Sequence, residues 1–529
     1  MRPSGRGAQL AHARVPTVAL DDLASASPPV DTLDTLLRAL GPGGPGVVLV
    51  RAAPELAGLA VRSTLARAHA AAGLGAAEQA ALLREAGLGS DVGKAQPRNT
   101  WAAACQLPLP RGDGGDEHAR PSVAPAGCGS AAPQLRAELD ALGRLLHRVA
   151  ALVAAALDAA LDGSGEGAPV RPLAGSREAG AARAAPGGVL ARAVHGSSAS
   201  KLRLVHYYSR ADTARLSDRG GGAIAASSAA APRGVGGTPR KQPAAPTLST
   251  PTDSMGASGG AGSPSPASGA KSALAALGSW QGWHFDYGLL TAIAPPVYHL
   301  RRSGGAAGCD GGEAAAETTM VPEAAVAALQ AGLAVLLRRP WEQRPSHAGA
   351  CAGGIHGVDS DGEAGPGGEE AWEPQLVHTP ADCVAVQVGE AAQILSGGRL
   401  AATLHCVTRP PARGAPCAAG GAAGDEGEGA HDARNGDTDD QPGDDDVAHL
   451  SRSTAVLFLQ PAWGQRMGAG GGDVDGADAV ARRAAVLAAS APQCSLGLAP
   501  ALATRWAPGG GGPTFAEFSK AVTAAYYGR

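Results

Sequence analysis

The sequence is poor in aromatic residues and has no long apolar run, and these absences exclude several classes of protein. Phe, Trp and Tyr make up 3% of the 529 residues. A helix that crosses a membrane needs about 20 mainly apolar residues in a row, and the sequence contains no such run. The formal net charge of −4 lacks the basic excess typical of proteins that bind nucleic acid. We therefore expect no membrane association, and the charge disfavours a nucleic-acid partner.

No Cys-x-x-Cys pair occurs among the eight cysteines. Paired cysteines at short spacing are typical of structural zinc sites and of disulfide frameworks, so neither is expected here. This cysteine usage favours a reducing compartment, and we expect a cytoplasmic protein. The first 20 residues contain three arginines and no acidic residue, which leaves an organellar transit segment as an alternative.

Glycine and proline are abundant, with 77 and 40 residues, and they are concentrated in tracts with alanine and serine. Such tracts cannot bury enough apolar surface to fold, so we predict disordered insertions. They lie at about 211–272, 303–317, 343–371 and 411–446. Without the last tract, about ten residues separate His405 from Arg452, a length that suits one hairpin between neighbouring strands.

The remaining sequence divides into three regions. Residues 1–200 are predicted to be rich in helix, and their clearest helix spans 133–161, where leucine and valine recur every three or four residues. Residues 87–132 are predicted to be irregular. Residues 201–464 contain the β-rich core and its insertions. Residues 465–529 form a C-terminal helical segment, in which Thr514 and Glu517 have the spacing of a capping box.

A strand-like stretch, Trp283–Thr291, contains the only His-x-Asp/Glu pair of the chain. In a strand, side chains at i and i+2 lie on one face, so His284 and Asp286 point the same way. Roughly one such pair is expected by chance at this composition. Gly288, within the same stretch, is predicted to permit the close approach of a neighbouring strand.

Further strand-like stretches follow in the second half of the chain. Residues 384–390 alternate like a strand, 393–399 look like a short strand closed by a Gly-Gly turn, and 400–407 form a third strand with His405. A fourth begins with Arg452. A lone histidine is usually a core residue with ordinary hydrogen bonds. Two histidines and a carboxylate, however, form the facial triad that holds Fe(II) with open positions.

Several of these motifs occur together in the order WHFDYGLLT, VQVGE, ILSGGRL, TLHCV, SRST and FLQPAW. In this the chain resembles the 2-oxoglutarate- and Fe(II)-dependent oxygenase superfamily, and it is most similar to the plant and algal, isopenicillin N synthase-like branch. The resemblance implies an α+β fold with a double-stranded β-helix, or jelly roll, at its centre. It also implies that Fe(II), 2-oxoglutarate and O2 take part in the reaction.

The resemblance also implies roles for individual residues. His284, Asp286 and His405 would hold Fe(II), while Arg452 and the hydroxyl of Thr454 would bind the far carboxylate of 2-oxoglutarate. The family usually has serine at position 454, so the extra methyl group predicts retained binding with slight crowding. Tyr207 would reach toward the cosubstrate or substrate, with Tyr208 and an ordinary packing role as open alternatives. Two rival arginines, Arg399 and Arg409, lie beside turns or linkers.

We therefore expect a monomeric dioxygenase that oxidises a small organic substrate and releases succinate and CO2. Two alternatives remain open from the sequence. One is a non-catalytic jelly-roll scaffold whose insertions bind partners, and the other is a cupin-type iron enzyme that does not use 2-oxoglutarate. The sequence does not identify the substrate, because loops build the pocket of such a fold.

Overall fold

The computed structural model describes the chain between its low-complexity tracts. The described residues are 10–90, 99–106, 131–163, 188–216, 274, 277–301, 318–338, 372–410, 447–468, 477–494, 496–506 and 512–527. The predicted insertions at 303–317, 343–371 and 411–446 lie outside them. The insertion at about 211–272 begins within them, because residues 210–216 are helical. None of the described helices combines the length and apolar character that crossing a bilayer requires.

The fold is a mixed α/β structure in which helices accompany two β-sheets. The larger sheet has ten strands in the order β2-β3-β13-β8-β15-β6-β5-β4, with β9 and β10 attached through β15. The smaller sheet has five, in the order β1-β12-β11-β14-β7. The strands are β1 (Ala11–His12), β2 (Thr17–Ala19), β3 (Val47–Arg51), β4 (Gly89–Ser90), β5 (Thr100–Gln106), β6 (Lys201–Tyr207), β7 (Ser279–His284), β8 (Leu290–Ile293), β9 (Val297–Arg301), β10 (Thr318–Met320), β11 (Gly332–Arg338), β12 (Trp372–Leu376), β13 (Cys383–Val388), β14 (His405–Thr408) and β15 (Leu450–Leu459).

The two sheets face each other across an apolar layer. Val335 of the smaller sheet belongs to the same buried cluster as Ile293, Ala385 and Val456 of the larger sheet. Because side chains alternate along a strand, every second residue of β13 and β15 points into this layer. The residues between them, such as Val386 and Leu457, point to the opposite face and belong to the main apolar core.

Helices cover that opposite face of the larger sheet. The predicted helix at 133–161 is confirmed and runs slightly further, from Ala131 to Gly163. It contacts β8, β13 and β15 through a stripe that includes the buried Leu139 and Leu146. The helices are α1 (Leu20–Ala24), α2 (Val30–Leu40), α3 (Ala53–Ala57), α4 (Val61–Ala72), α5 (Ala76–Glu85), α6 (Ala131–Gly163), α7 (Val189–His195), α8 (Glu323–Val326), α9 (Glu390–Leu395), α10 (Ala477–Cys494) and α11 (Phe515–Tyr527).

Two consecutive prolines divide one long strand of the larger sheet into β8 and β9. Both pieces pair with β15, β8 with residues 456–459 and β9 with residues 450–453. Pro295 and Pro296 lie between them and have no backbone N–H to donate, so the ladder is interrupted there. The interruption leaves the carbonyl of Ala294 available to a side chain of β15.

The prediction of a strand with a Gly-Gly turn at 393–399 is wrong. Residues 390–395 form the helix α9, and Gly397 and Gly398 follow its end with positive φ angles of 67° and 83°. Glycine is favoured after the last turn of a helix as well as in a hairpin turn, because both positions often need left-handed backbone. The strand predicted at 400–407 is shorter than expected and begins only at His405.

The strands test two further predictions, for residues 87–132 and for Gly288. Residues 87–132 were expected to be irregular, but Thr100–Gln106 form β5, which pairs along its length with β6. Gly288 does permit close approach, because a Cβ atom there would lie 2.6 Å from the carbonyl oxygen of Leu459. That contact brings the end of β15 against the segment that follows the His-x-Asp pair.

Candidate active site

The three predicted metal ligands come together where β7 meets β14. The two strands are antiparallel, and His284 lies opposite His405 in their register. Nε2 of His284 is 3.7 Å from one carboxylate oxygen of Asp286, and Nε2 of His405 is 3.8 Å from the other. One ligand atom from each residue lies within 4.8 Å of the other two. Among the described residues, this is the one group of His, Cys, Asp or Glu with such spacing.

Hydrogen bonds orient both imidazoles so that Nε2 is the nitrogen available to a metal. Nδ1 of His284 lies 2.8 Å from the carbonyl oxygen of Gly282, and Nδ1 of His405 lies 2.9 Å from that of Thr403. A carbonyl oxygen accepts but never donates, so each Nδ1 carries the proton. Each Nε2 therefore keeps its lone pair, which is the usual arrangement for metal-binding histidines.

The third predicted ligand, Asp286, is held by a hydroxyl group. Oγ1 of Thr291 donates a hydrogen bond of 2.6 Å to Oδ2 of Asp286, which is 8% exposed. Burial lowers the pKa of His284 to about 4, with a further decrease from the neighbouring His405 and an opposing effect of Asp286. A pKa this low keeps the imidazole neutral near pH 7, which is the form that binds a metal.

Gln281 connects His284 with Tyr207, and no sequence pattern singles it out. The hydroxyl of Tyr207 donates to Oε1 of Gln281 at 3.1 Å, and Nε2 of Gln281 lies 2.9 Å from Nε2 of His284. In a regular strand, residues 281 and 284 face opposite sides. The pairing of β7 with β14 shifts register between its positions, however, and such an irregularity re-aims side chains.

The two candidate tyrosines point to different sides of the larger sheet. The side chain of Tyr207 reaches Gln281, whereas the hydroxyl of Tyr208 donates to the carbonyl of Ala72 in α4, on the helical side. Burial raises the pKa of Tyr207, while the nearby Arg452 opposes that increase. Tyr207 is therefore the tyrosine placed beside the triad.

Arg452 lies in the layer between the sheets, opposite Tyr207 in the register of β15 and β6. Its guanidinium carbon is 5.5 Å from the centre of the Tyr207 ring. The residue is 3% exposed, and its Nε has no hydrogen-bond partner among the described residues. The exposed Arg399, a rival from the sequence, instead donates to the carbonyl of Leu161 at the end of α6.

Thr454 lies on the same face of β15 as Arg452, but its hydroxyl is already in use. Oγ1 donates a hydrogen bond of 3.0 Å to the carbonyl of Ala294, the residue just before the two prolines. A hydroxyl has a single hydrogen to donate. Thr454 can therefore donate to a carboxylate only if it gives up the bond that closes the interrupted strand.

The C-terminal segment supports the triad from outside the sheet, a contribution that sequence reasoning missed. The backbone N–H of Phe285, between two predicted ligands, donates to the hydroxyl of Tyr526 at 3.0 Å. The backbone N–H of Glu390 donates to the carbonyl of Asp286 at 2.8 Å. The carboxylate of Glu390 in turn forms a buried ion pair with both terminal nitrogens of Arg505.

A cavity of about 530 Å³ lies at another part of the molecule. Its wall includes residues of α3, α4 and β9, among them Leu56, Val61 and Tyr298. None of the triad residues contributes to its wall. Tyr298, which lines the cavity, lies opposite Arg452 in the register of β9 and β15.

Comparisons with known proteins give relatives by structure alone. No protein-family model matches the chain, and no curated protein matches it either. A structure of a full-length protein from Neurospora crassa, in complex with alpha-KG and 5-formyluracil, is similar, with 10% identity and a TM-score of 0.38 over 92% of this chain and 100% of that one.

Two further structures are similar to the same extent. The rice dioxygenase for auxin oxidation shares 14% identity over 85% of this chain and 84% of its own, with a TM-score of 0.36. A 2OG-Fe(II) oxygenase family protein from Caulobacter crescentus shares 12% identity over 85% and 88%, with a TM-score of 0.34. All three structures share 14% identity or less with this chain and have TM-scores of 0.38 or less.

Proposed function

We propose that the protein is a 2-oxoglutarate- and Fe(II)-dependent dioxygenase built on a double-stranded β-helix. The observation that carries this proposal is the convergence of His284, Asp286 and His405, which Gln281 and Tyr207 connect to a buried arginine. Two imidazole nitrogens and one carboxylate are the donor set that Fe(II) oxygenases use. The donors fit a metal, because each Nδ1 donates its proton to a backbone carbonyl. Each Nε2 therefore carries no proton, and its lone pair can bind a metal.

Arg452 supports the choice of 2-oxoglutarate as cosubstrate. A guanidinium in an apolar layer is costly unless an anion compensates its charge. Its planar fork matches a carboxylate in two parallel hydrogen bonds. Arg452 and Tyr207 lie on one side of the triad, linked to it through Gln281. A dicarboxylate held by Arg452 at one end would extend toward the triad at the other.

The chain's own groups have separate tasks in this scheme. Fe(II), when bound, supplies the reaction of O2 with 2-oxoglutarate, in which CO2 and succinate form and one oxygen atom enters a C–H bond of the substrate. Thr291 would hold the carboxylate of Asp286 in place as a ligand. The carbonyls of Gly282 and Thr403 hold the imidazoles in the metal-binding tautomer. The substrate is proposed to be a small organic molecule.

The test is Fe(II)-dependent release of succinate from 2-oxoglutarate by purified protein, with and without the triad. His284→Ala or Asp286→Ala is expected to abolish it and to abolish metal binding, since each removes one of three ligands. His195→Ala, which changes an exposed histidine of α7, is the matched control. Full turnover in either triad variant would refute the assignment.

Metal binding without any turnover of 2-oxoglutarate would instead favour the scaffold alternative. A visible charge-transfer band on adding 2-oxoglutarate to the anaerobic Fe(II) protein would oppose both alternatives, because it requires the cosubstrate to bind at the metal. Screening of metabolite mixtures for succinate-coupled loss would then identify the substrate.

A further inference from the structure

We propose that Gln281 is a hydrogen-bond donor that switches partners during cosubstrate binding. In the metal-free protein it donates to Nε2 of His284. Once a metal takes that nitrogen, the same N–H donates to 2-oxoglutarate. This inference rests on the proposed function for the identity of the second partner, and on the hydrogen bonds of the described residues for the first.

The orientation of the Gln281 amide follows from its two neighbours. The proton of His284 is on Nδ1, facing the carbonyl of Gly282 at 2.8 Å, so Nε2 accepts. Only the NH2 group of an amide donates, and it lies 2.9 Å from that nitrogen. The amide oxygen is then left to accept from the hydroxyl of Tyr207 at 3.1 Å. The opposite orientation would place the amide oxygen against the lone pair of Nε2 of His284, so two acceptors would face each other.

Metal and amide compete for a single lone pair. Nε2 of His284 is the nitrogen nearest the carboxylate of Asp286 at 3.7 Å, so it is the atom on which a metal would bind. A ring nitrogen has one lone pair in the plane of the ring, and it serves either a donor or a metal. Metal binding must therefore break the bond from Gln281 and leave an N–H group beside the metal without its partner.

The position of Gln281 indicates which molecule takes that N–H. Gln281 lies between the triad and the Tyr207–Arg452 pair, so any dicarboxylate that spans them passes its side chain. With one carboxylate at Arg452, the oxygens near Gln281 belong to the carboxylate next to the keto group. Such an oxygen is a stronger acceptor than a neutral nitrogen. The hydroxyl of Tyr207 donates to the amide oxygen of Gln281 both before and after metal binding. A rotation of the amide is therefore enough to move its N–H from His284 to 2-oxoglutarate.

The experiment measures metal binding and cosubstrate binding separately, without turnover. Zn(II) affinity is determined by calorimetry on the metal-free protein, and 2-oxoglutarate affinity on the Zn(II)-loaded protein. Gln281→Leu keeps the size of the side chain and removes both hydrogen bonds. Gln134→Leu, which changes an exposed glutamine of α6, is the matched control. Tyr207→Phe releases the amide oxygen but leaves the donor, and thermal unfolding checks that each variant is folded.

Opposite changes are the expected result. Gln281→Leu should tighten Zn(II) binding about threefold to tenfold, because the competing hydrogen bond is gone, and weaken 2-oxoglutarate binding at least about fivefold. Tyr207→Phe should weaken 2-oxoglutarate binding with little change in Zn(II) affinity. Unchanged affinities, or weaker binding of both molecules, would overturn the inference and give Gln281 a purely structural role.

The two proposals fail in different ways. If the wild-type Zn(II) protein does not bind 2-oxoglutarate at all, the proposed function fails. The Zn(II) affinity of Gln281→Leu still tests whether Gln281 competes with the metal for Nε2 of His284. If 2-oxoglutarate binds normally and Gln281→Leu changes neither affinity, the function stands and the switch is wrong.

Discussion

The hydroxyl of Tyr526 accepts a hydrogen bond of 3.0 Å from the backbone N–H of Phe285, the residue between His284 and Asp286. A side chain of the last helix thus contacts the backbone on which two of the three proposed ligands are mounted. Burial raises the pKa of Tyr526, so its hydroxyl stays protonated at neutral pH. The position of the triad therefore depends on α11 as well as on the sheets.

Removing this hydroxyl is expected to weaken metal binding without unfolding the protein. Tyr526→Phe leaves the ring in place and deletes one hydrogen bond, a loss of about 1 kcal/mol. If most of this free energy is lost from metal binding, because residues 284–286 are less well positioned, Zn(II) affinity should fall about fivefold. Thr523→Ala, on an exposed position of the same helix, is the control. Equal Zn(II) affinity in Tyr526→Phe and wild type would show that α11 does not position the triad.

Arg452 is expected to control the requirement for 2-oxoglutarate. Arg452→Ala would remove the proposed charge-assisted, two-bond contact, so the KM for 2-oxoglutarate should rise about tenfold to a hundredfold while metal affinity changes little. Arg452→Lys should recover only part of this, since an ammonium cannot form the planar fork. Arg399→Ala serves as the matched arginine control. An unchanged KM in Arg452→Ala would show that Arg452 does not bind the cosubstrate, whereas wild-type activity that is independent of 2-oxoglutarate would favour an iron enzyme that does not use it.

The buried pair of Glu390 and Arg505 is expected to be a large contributor to stability only while both partners are present. Nη2 of Arg505 lies 2.6 Å from the carboxylate, and the side chains are 2% and 0% exposed. Removal of one partner leaves a buried charge, which costs about 3–5 kcal/mol. Arg505→Met should therefore lower the unfolding free energy by about that amount in urea titrations.

The double variant Glu390→Gln/Arg505→Met provides the control for that prediction. It removes both charges, so it should be more stable than Arg505→Met alone. The exposed pair of Arg51 and Asp382, with side chains 62% and 43% exposed, gives a surface comparison in which Arg51→Met should cost less than about 1 kcal/mol. Equal losses of unfolding free energy in Arg505→Met and Arg51→Met would show that burial does not make the Glu390–Arg505 pair more important for stability.

Sequence reasoning found the parts of the site that short strand motifs encode. His284 and Asp286 share a face because of strand alternation, His405 begins β14, and Arg452 lies near the start of β15. Gln281 escaped detection, because a register shift between β7 and β14 places it on the same side as His284. No local pattern signals such a shift.

The contribution of the C-terminal segment was not predictable for a different reason. Glu390 meets Arg505 across 115 residues of sequence, and Phe285 meets Tyr526 across 241. Pairs this distant are set by packing of the whole chain. The predicted strand at 393–399 was wrong because a Gly-Gly pair serves a helix end as readily as a hairpin.

Three histidines on the helical side of the larger sheet form a second cluster, in which His206 and His299 are buried and His69 is half-buried. His69 of α4 stacks on His299 of β9 with ring centres 4.2 Å apart, and His206 of β6 meets His69 edge-on at 5.0 Å. Nδ1 of His206 lies 2.9 Å from Oγ of Ser453. Stacked rings direct their lone pairs along parallel planes, so His69 and His299 do not converge on one ion.

This cluster is expected to make the protein sensitive to acid. Burial lowers the pKa of all three, with smaller effects among the histidines themselves, and that of His299 falls to about 3. The charge of Asp212 raises the pKa of His69 in opposition to burial, and the charge of Arg301 lowers it further. A lowered pKa means that the unfolded chain binds more protons than the folded chain below about pH 6.5, so the unfolding free energy decreases as pH falls.

For His299 alone the loss should reach about 2 kcal/mol at pH 5, and it should continue toward pH 3. His299→Leu removes this titration, so its unfolding free energy should fall less steeply between pH 7 and pH 5 than that of the wild type. Urea titrations of the metal-free proteins at several pH values measure the slope. His195→Leu, at an exposed histidine, should keep the wild-type slope. A wild-type slope in His299→Leu would show that the buried cluster is not the source of acid sensitivity.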